Sequence, residues 1–100
     1  MHVIVWAFEV KRGCRREFEK VYGPRGEWTR LFAKHPGYVG TELLRDANRA
    51  ARYLTIDRWG SREAYDAFKK RSRAEYEGLN ARGEALTRTE RLVGRFETPA

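Results

Sequence analysis

The run VIVWAFEV, Val3 to Val10, constrains this chain more than any other stretch. Its β-branched and aromatic residues favour an extended backbone, in which successive side chains point to opposite faces of a sheet. Val3, Val5 and Ala7 then share one face, and Ile4, Trp6, Phe8 and Val10 share the other. A sheet holding such a strand needs cover on both sides, because soluble monomers seldom leave a large apolar patch in water.

The rest of the chain supplies cover for one side. Phe18, Val21 and Tyr22, then Trp28, Leu31 and Phe32, follow helical spacing in two pieces separated by GPRG. Pro24 is expected in the first turn of the second piece, and the turn His35–Gly37 closes the segment. Tyr38–Leu44 and Arg52–Trp59 read as strands. The polar connection Arg45–Arg49 between them predicts an antiparallel pair, with Asn48 suited to a left-handed turn position. Ser61 is placed to cap a second helix carrying Tyr65, Phe68, Ser72, Tyr76 and Leu79 on one face. Arg88–Glu97 is the last strand. The order is β-α-β-β-α-β, which predicts an α+β, ferredoxin-like four-stranded antiparallel sheet with helices on one face, as a single domain over residues 1–100. The open second face predicts a homodimer, sheet against sheet.

Composition narrows the partners. The net charge of +7 in 100 residues suits an anionic partner without naming one. An RNA-recognition sheet carries glycine-containing aromatic motifs on its central strands, whereas RYLTIDRW lacks both glycines and inserts Asp57. The basic run Lys69–Arg73 is partly neutralised by acids four residues away, as a solvated helix face is. No nucleic-acid partner is therefore expected. The apolar N-terminal run is too short to cross a bilayer and has no small-residue cleavage site after it, so no membrane partner and a cytoplasmic location are expected. Cys14 is the sole cysteine and His2 and His35 the only histidines, none of them spaced for zinc or iron. No metal site and no cofactor are expected.

Asp57 alternates with Tyr53, Thr55 and Trp59 on one strand face. If that face is buried, its carboxylate is either ion-paired with an arginine or raised in pKa, as suits a general base. Tyr22, Trp28, Phe32 and Phe68 form an aromatic stripe that either packs a core or walls a cavity from the helix side. They are assigned to that wall, with Arg82 at its mouth to attract an anion.

The segments VIVWAFEV, YGPRGEWTRLF, GYVGTELL and YLTIDRWGSREAYDAF together resemble antibiotic biosynthesis monooxygenase domains over nearly the whole chain. The W-x-S-x-x-A-y-x-x-F signature matches at Trp59, Ser61, Ala64, Tyr65 and Phe68. The resemblance implies a dimeric α+β barrel with a pocket between helices and sheet, and several functions. Some relatives oxidise polycyclic aromatics without metal or flavin, some degrade haem, and others handle small quinone-like molecules. Trp59 and Tyr65 match a Trp and Tyr in the pocket of quinone-forming relatives, which implies a catalytic pair donating hydrogen bonds to an anionic oxygen. Thr55 stands where those relatives have an Asn. Haem-degrading relatives use a histidine on the second helix and an Asn on the first strand, and neither is present. The resemblance thus implies cofactor-free monooxygenation of a small aromatic or quinone-like ligand, with a non-catalytic ligand-binding or interaction domain as the alternative.

Overall fold

The computed structural model describes residues 1–99. Four strands, β1 (His2–Val10), β2 (Tyr38–Arg45), β3 (Arg52–Trp59) and β4 (Thr87–Glu97), form one antiparallel sheet in the order β2-β3-β1-β4. The doubly apolar β1 is central, with β3 and β4 on either side. Between β1 and β2 run α1 (Arg15–Tyr22) and α2 (Glu27–Phe32); between β3 and β4 run α3 (Arg62–Arg71) and α4 (Arg73–Glu84). This is the ferredoxin-like fold that the element order predicts, with the first helical segment in two pieces as expected and the second predicted helix split in two.

Each break has an identifiable setting, the first local and the second a long-range contact. Pro24 falls in the turn between α1 and α2 rather than inside the first turn of α2, which starts three residues later. There Thr29 Oγ donates to the Gly26 carbonyl at 2.9 Å, tying the turn to the new helix. At Ser72 the backbone leaves helical geometry (φ −115°, ψ 33°) and its hydroxyl meets His35 Nε2 at 2.8 Å. The break separates α3 from α4, yet the predicted face holds across it: Tyr65, Phe68, Tyr76 and Leu79 all pack on one core, with the Phe68 and Tyr76 ring centroids 6.2 Å apart. The β2–β3 connection also departs from expectation. Asn48 has negative φ; instead Asp46 accepts from the backbone N–H groups of Asn48 and Arg49 at 2.8 and 3.1 Å, an acid doing the work assigned to a left-handed residue.

Ser61 is the predicted cap, accepting from Ala64 N–H at 3.1 Å. Gly37 sets the approach to it. Its φ is 89°, and a Cβ at this position would lie 2.6 Å from Ala64 Cβ, so no side chain fits.

The even-numbered residues of β1 and the odd-numbered residues of β3 face the helices. Ile4, Phe8, Val10, Tyr53 and Trp59 join Phe18, Val21, Leu31 and Phe68 in one aromatic-rich core. The opposite face carries Val3, Val5 and Ala7 on β1, Leu54 and Ile56 on β3, Leu44 on β2 and Phe96 on β4, by strand alternation and register. Leu44 is 44% and Phe96 51% exposed there. No helix among the described residues is long and apolar enough to cross a membrane.

Candidate functional site

A cavity opens between the sheet and the helices. Trp6, Phe8, Thr55 and Asp57 form its floor with Thr41 and Glu90 at the two edge strands; Tyr22, Trp28, Phe32 and Tyr65 form its roof, with Tyr76 and Asn80 from α4. The space between these walls, counted out into open solvent at the mouth, is about 500 Å³. Its lining is mainly aromatic, with Thr41, Thr55, Asp57, Asn80 and Glu90 as the polar groups, so it forms an apolar slot with a few polar contacts. Among the described residues, no lysine, arginine, histidine or cysteine lines it.

Asp57 is the chemical centre of the floor. It is 8% exposed and its neighbours on β3 are Thr55 and Trp59 on the same face. Thr41 Oγ donates to Asp57 Oδ1 at 2.7 Å, and Tyr38 Oη lies 2.7 Å from the same Thr41 oxygen. A threonine has one hydroxyl proton, and the carboxylate claims it, so Tyr38 must donate to Thr41. The relay is therefore Tyr38 to Thr41 to Asp57. It compensates burial only in part: removal from water lifts the Asp57 carboxyl to about 6, against the lowering effect of Thr41. Of the two outcomes open from the sequence, ion pair or raised pKa, the second holds; Asp57 takes part in no ion pair among the described residues.

The roof supplies hydroxyl donors. Burial raises the Tyr65 phenol far above its ordinary value, with Tyr76 beside it adding to the effect. Tyr65 therefore stays protonated and can only donate or accept as a neutral phenol. Its ring is clasped by cations outside the cavity: the Arg95 guanidinium carbon lies 5.0 Å from the ring centroid and Lys69 Nζ 5.7 Å. Arg95 is itself fixed by donating to His2 Nε2 at 2.9 Å and to Asp66 at 3.1 Å. On the other side Tyr22 is also held protonated, first by burial and then by the charge of Glu90. Its hydroxyl occupies the space above Gly83, where a Cβ would lie 1.9 Å from the oxygen.

The structure gathers Tyr22, Trp28, Phe32, Thr55, Asp57 and Tyr65 around one cavity. Three other expected site residues lie elsewhere. Trp59, on the last pair of β3 opposite His2 and Tyr38, is 0% exposed and sits behind the cavity. It packs edge-on against Tyr65 (5.7 Å) and Phe32 (5.6 Å), and its indole N–H has no partner. Phe68 stacks on Trp59 at 5.3 Å in the same core. Arg82 points outward and grips Glu27 with both terminal nitrogens, locking α4 to α2. Its charge is spent on that pair.

Sequence reasoning missed Trp6, Phe8, Thr41, Tyr76, Asn80 and Glu90. Trp6 and Phe8 were legible as one face of β1, and Tyr76 as a helical-face aromatic. Glu90 carried no signal, because an acid in a charged strand such as TRTERLVGRFE reads as surface.

A family model described as antibiotic biosynthesis monooxygenase matches residues 1–75. A curated haem oxygenase (mycobilin-producing) from Mycobacterium tuberculosis is 34% identical over 62 residues, 62% of this chain; the match spans 56% of that protein, little more than half its length. Among solved structures, SnoaB, described as a cofactor-independent oxygenase from Streptomyces nogalater, superposes with a TM-score of 0.80 at 25% identity, covering 99% of this chain and 93% of that one. A conserved protein from Methanosarcina mazei superposes at 0.75 with 9% identity over 98% and 92% of the two chains, which speaks to fold alone. With the four-stranded antiparallel fold, the aromatic cavity and a family match over three quarters of its length, the chain belongs to the antibiotic biosynthesis monooxygenase family.

Proposed function

We propose that the protein is a cofactor-independent monooxygenase of a compact aromatic substrate, a hydroquinone or anthrone whose ring system carries an acidic proton. The observation that carries this reading is Asp57: a buried carboxylate with no cation beside it, lifted to about 6, on the floor of an aromatic slot. A proton affinity near the working pH is what a general base needs. Similarity to a structure described as a cofactor-independent oxygenase supports it.

For an anthrone the steps balance as follows. Asp57 takes a proton from the ring CH₂, and the electrons pass into the ring system and its carbonyl oxygen. A phenol donor, Tyr65 in this reading, meets that oxygen as charge gathers on it. The electron-rich anion gives one electron to dioxygen; the two radicals join in a new C–O bond, and the proton held by Asp57 goes to the distal oxygen. The hydroperoxide then loses its remaining C–H proton and hydroxide, together one water, leaving a carbonyl. One oxygen atom ends in the product and one in water, with the substrate supplying the electrons. Trp59, which does not reach the cavity, acts here as a positioning residue that holds the Tyr65 ring from behind.

The curated relatives' name raises haem as a bound group. The donor set does not fit it: the cavity wall offers no imidazole or thiolate, and burial keeps its Tyr22 and Tyr65 phenols protonated, so they do not supply a phenolate ligand. His2 is engaged by Arg95 and His35 by Ser72. The apolar outer face of the sheet supports a two-fold dimer as the working form.

Oxygen uptake with 1,8-dihydroxyanthrone tests the reading. Protein freed of metal and haem is expected to consume one dioxygen per ring oxidised, and Asp57→Asn to slow this by about 10²-fold or more. Binding without uptake across anthrones and hydroquinones would instead make this a non-catalytic ligand-binding domain.

A further inference from the structure

The cavity has a second carboxylate that the proposed chemistry does not use. Glu90 lies on β4 directly opposite Phe8 and lines the slot, with Oε2 buried and without a hydrogen-bond partner. Like Asp57, it forms no ion pair among the described residues. Strand register fixes where the two acids stand. Asp57 pairs with Ile4 and Glu90 with Phe8, from strands on opposite sides of β1. Two strand spacings across and four residues along put their Cα atoms about 16 Å apart, diagonally across the floor. Both side chains reach into the slot from there, one toward each end of a flat guest.

We propose that Glu90 is a specificity residue: it accepts a hydroxyl at the end of the substrate remote from Asp57, and it selects neutral, polyhydroxylated fused aromatics over carboxylated ones. This rests on the reading of the cavity as an aromatic-binding site. An unpartnered, buried acceptor gains most from a donor brought by the ligand. A guest arriving as a carboxylate adds a third negative charge to a wall that holds two and no cation, in a medium that screens poorly. Proton transfer from a neutral substrate to Asp57 adds none, because the proton stays inside. The +7 of the chain would suggest an anionic guest; the cavity's own charges point the other way, since the cations lie outside it.

Quenching of tryptophan fluorescence by 1,8-dihydroxyanthrone and by the same ring system bearing a carboxylate at one end gives the two dissociation constants. Wild type is expected to favour the neutral probe by about tenfold or more, and Glu90→Gln to shrink that ratio to within about twofold. Glu90→Thr, which suits a strand, repeats the comparison should Glu90→Gln melt early. An unchanged ratio in both variants overturns the role of Glu90, and if wild type still consumes oxygen with the neutral probe the oxygenase reading survives. A ratio that collapses in the variants while wild type consumes no oxygen upholds Glu90 and overturns the oxygenase. Failure of wild type to bind either probe overturns both.

Discussion

Asp57 places a measurable burden on the fold, and removing it should stabilise the protein. Lifting an aspartate from its ordinary value of 3.8 to about 6 means that ionising it costs the folded state about 3 kcal/mol more than the unfolded one, at 1.36 kcal/mol per tenfold change in proton affinity. The group is an acid whose folded value is raised. The penalty is therefore fully present above about pH 6, shrinks as pH falls toward the unfolded value, and is largely gone near pH 4. Asp57→Asn keeps the shape and an oxygen that can still accept from Thr41, and it removes the charge. At pH 8 it should raise stability by about 2–3 kcal/mol, on the order of 10 °C in Tm for a domain of this size. Thermal melts of both proteins at pH 8 and pH 4 read the effect as a difference of differences, which cancels titrations common to both, Glu90 among them. The gain should be large at pH 8 and small at pH 4. Equal stability at pH 8, or a less stable variant, would mean that Asp57 is paired or solvated and would refute the reasoning. Lost turnover with gained stability is the signature of a functional group kept at a cost to the fold.

Three further outcomes follow from other parts of the molecule. Gly83→Ala drives a methyl into the Tyr22 hydroxyl, whose ring is confined by Phe8 at 4.9 Å and Phe18 at 4.3 Å; differential scanning calorimetry should show a loss of about 1–3 kcal/mol, and an unchanged Tm would mean Tyr22 moves freely. Ile56→Glu puts a charge at the centre of the outer sheet face, and sedimentation should find monomers where wild type sediments as a dimer; a dimeric variant, or a monomeric wild type at micromolar concentration, counts against sheet-to-sheet assembly. Ser61→Ala removes the acceptor for Ala64 N–H and should cost about 1 kcal/mol in urea denaturation, with no loss at all pointing to another cap.

How much of this the residues disclosed depends on which physical signal each carried. β1 announced its place through its two apolar faces, and a central strand is where such a sequence belongs. Alternation along β3 placed Tyr53, Thr55, Asp57 and Trp59 on one face, and all four are buried together. Periodicity could not say which of them meets empty space. Trp59 shares Asp57's face, yet two residues of rise along the strand carry it past the end of the slot and under Phe68. Arg82 is an exposed helix cation, and its capture by Glu27, 55 residues away, is invisible until α2 and α4 are side by side. The kink at Ser72 hid for a similar reason, since it depends on His35 from a distant turn. Glu90 was lost because exposure and burial of an edge-strand acid depend on what the helices leave uncovered.

The most direct test of the central claim is the proton affinity of Asp57 itself, read by ¹³C NMR from the titration of its carboxyl carbon and assigned by its loss in Asp57→Asn. A midpoint of about 6 is predicted. A midpoint near 3.8 would contradict the account, because the floor of the slot would then hold an ordinary solvated or paired acid instead of a base.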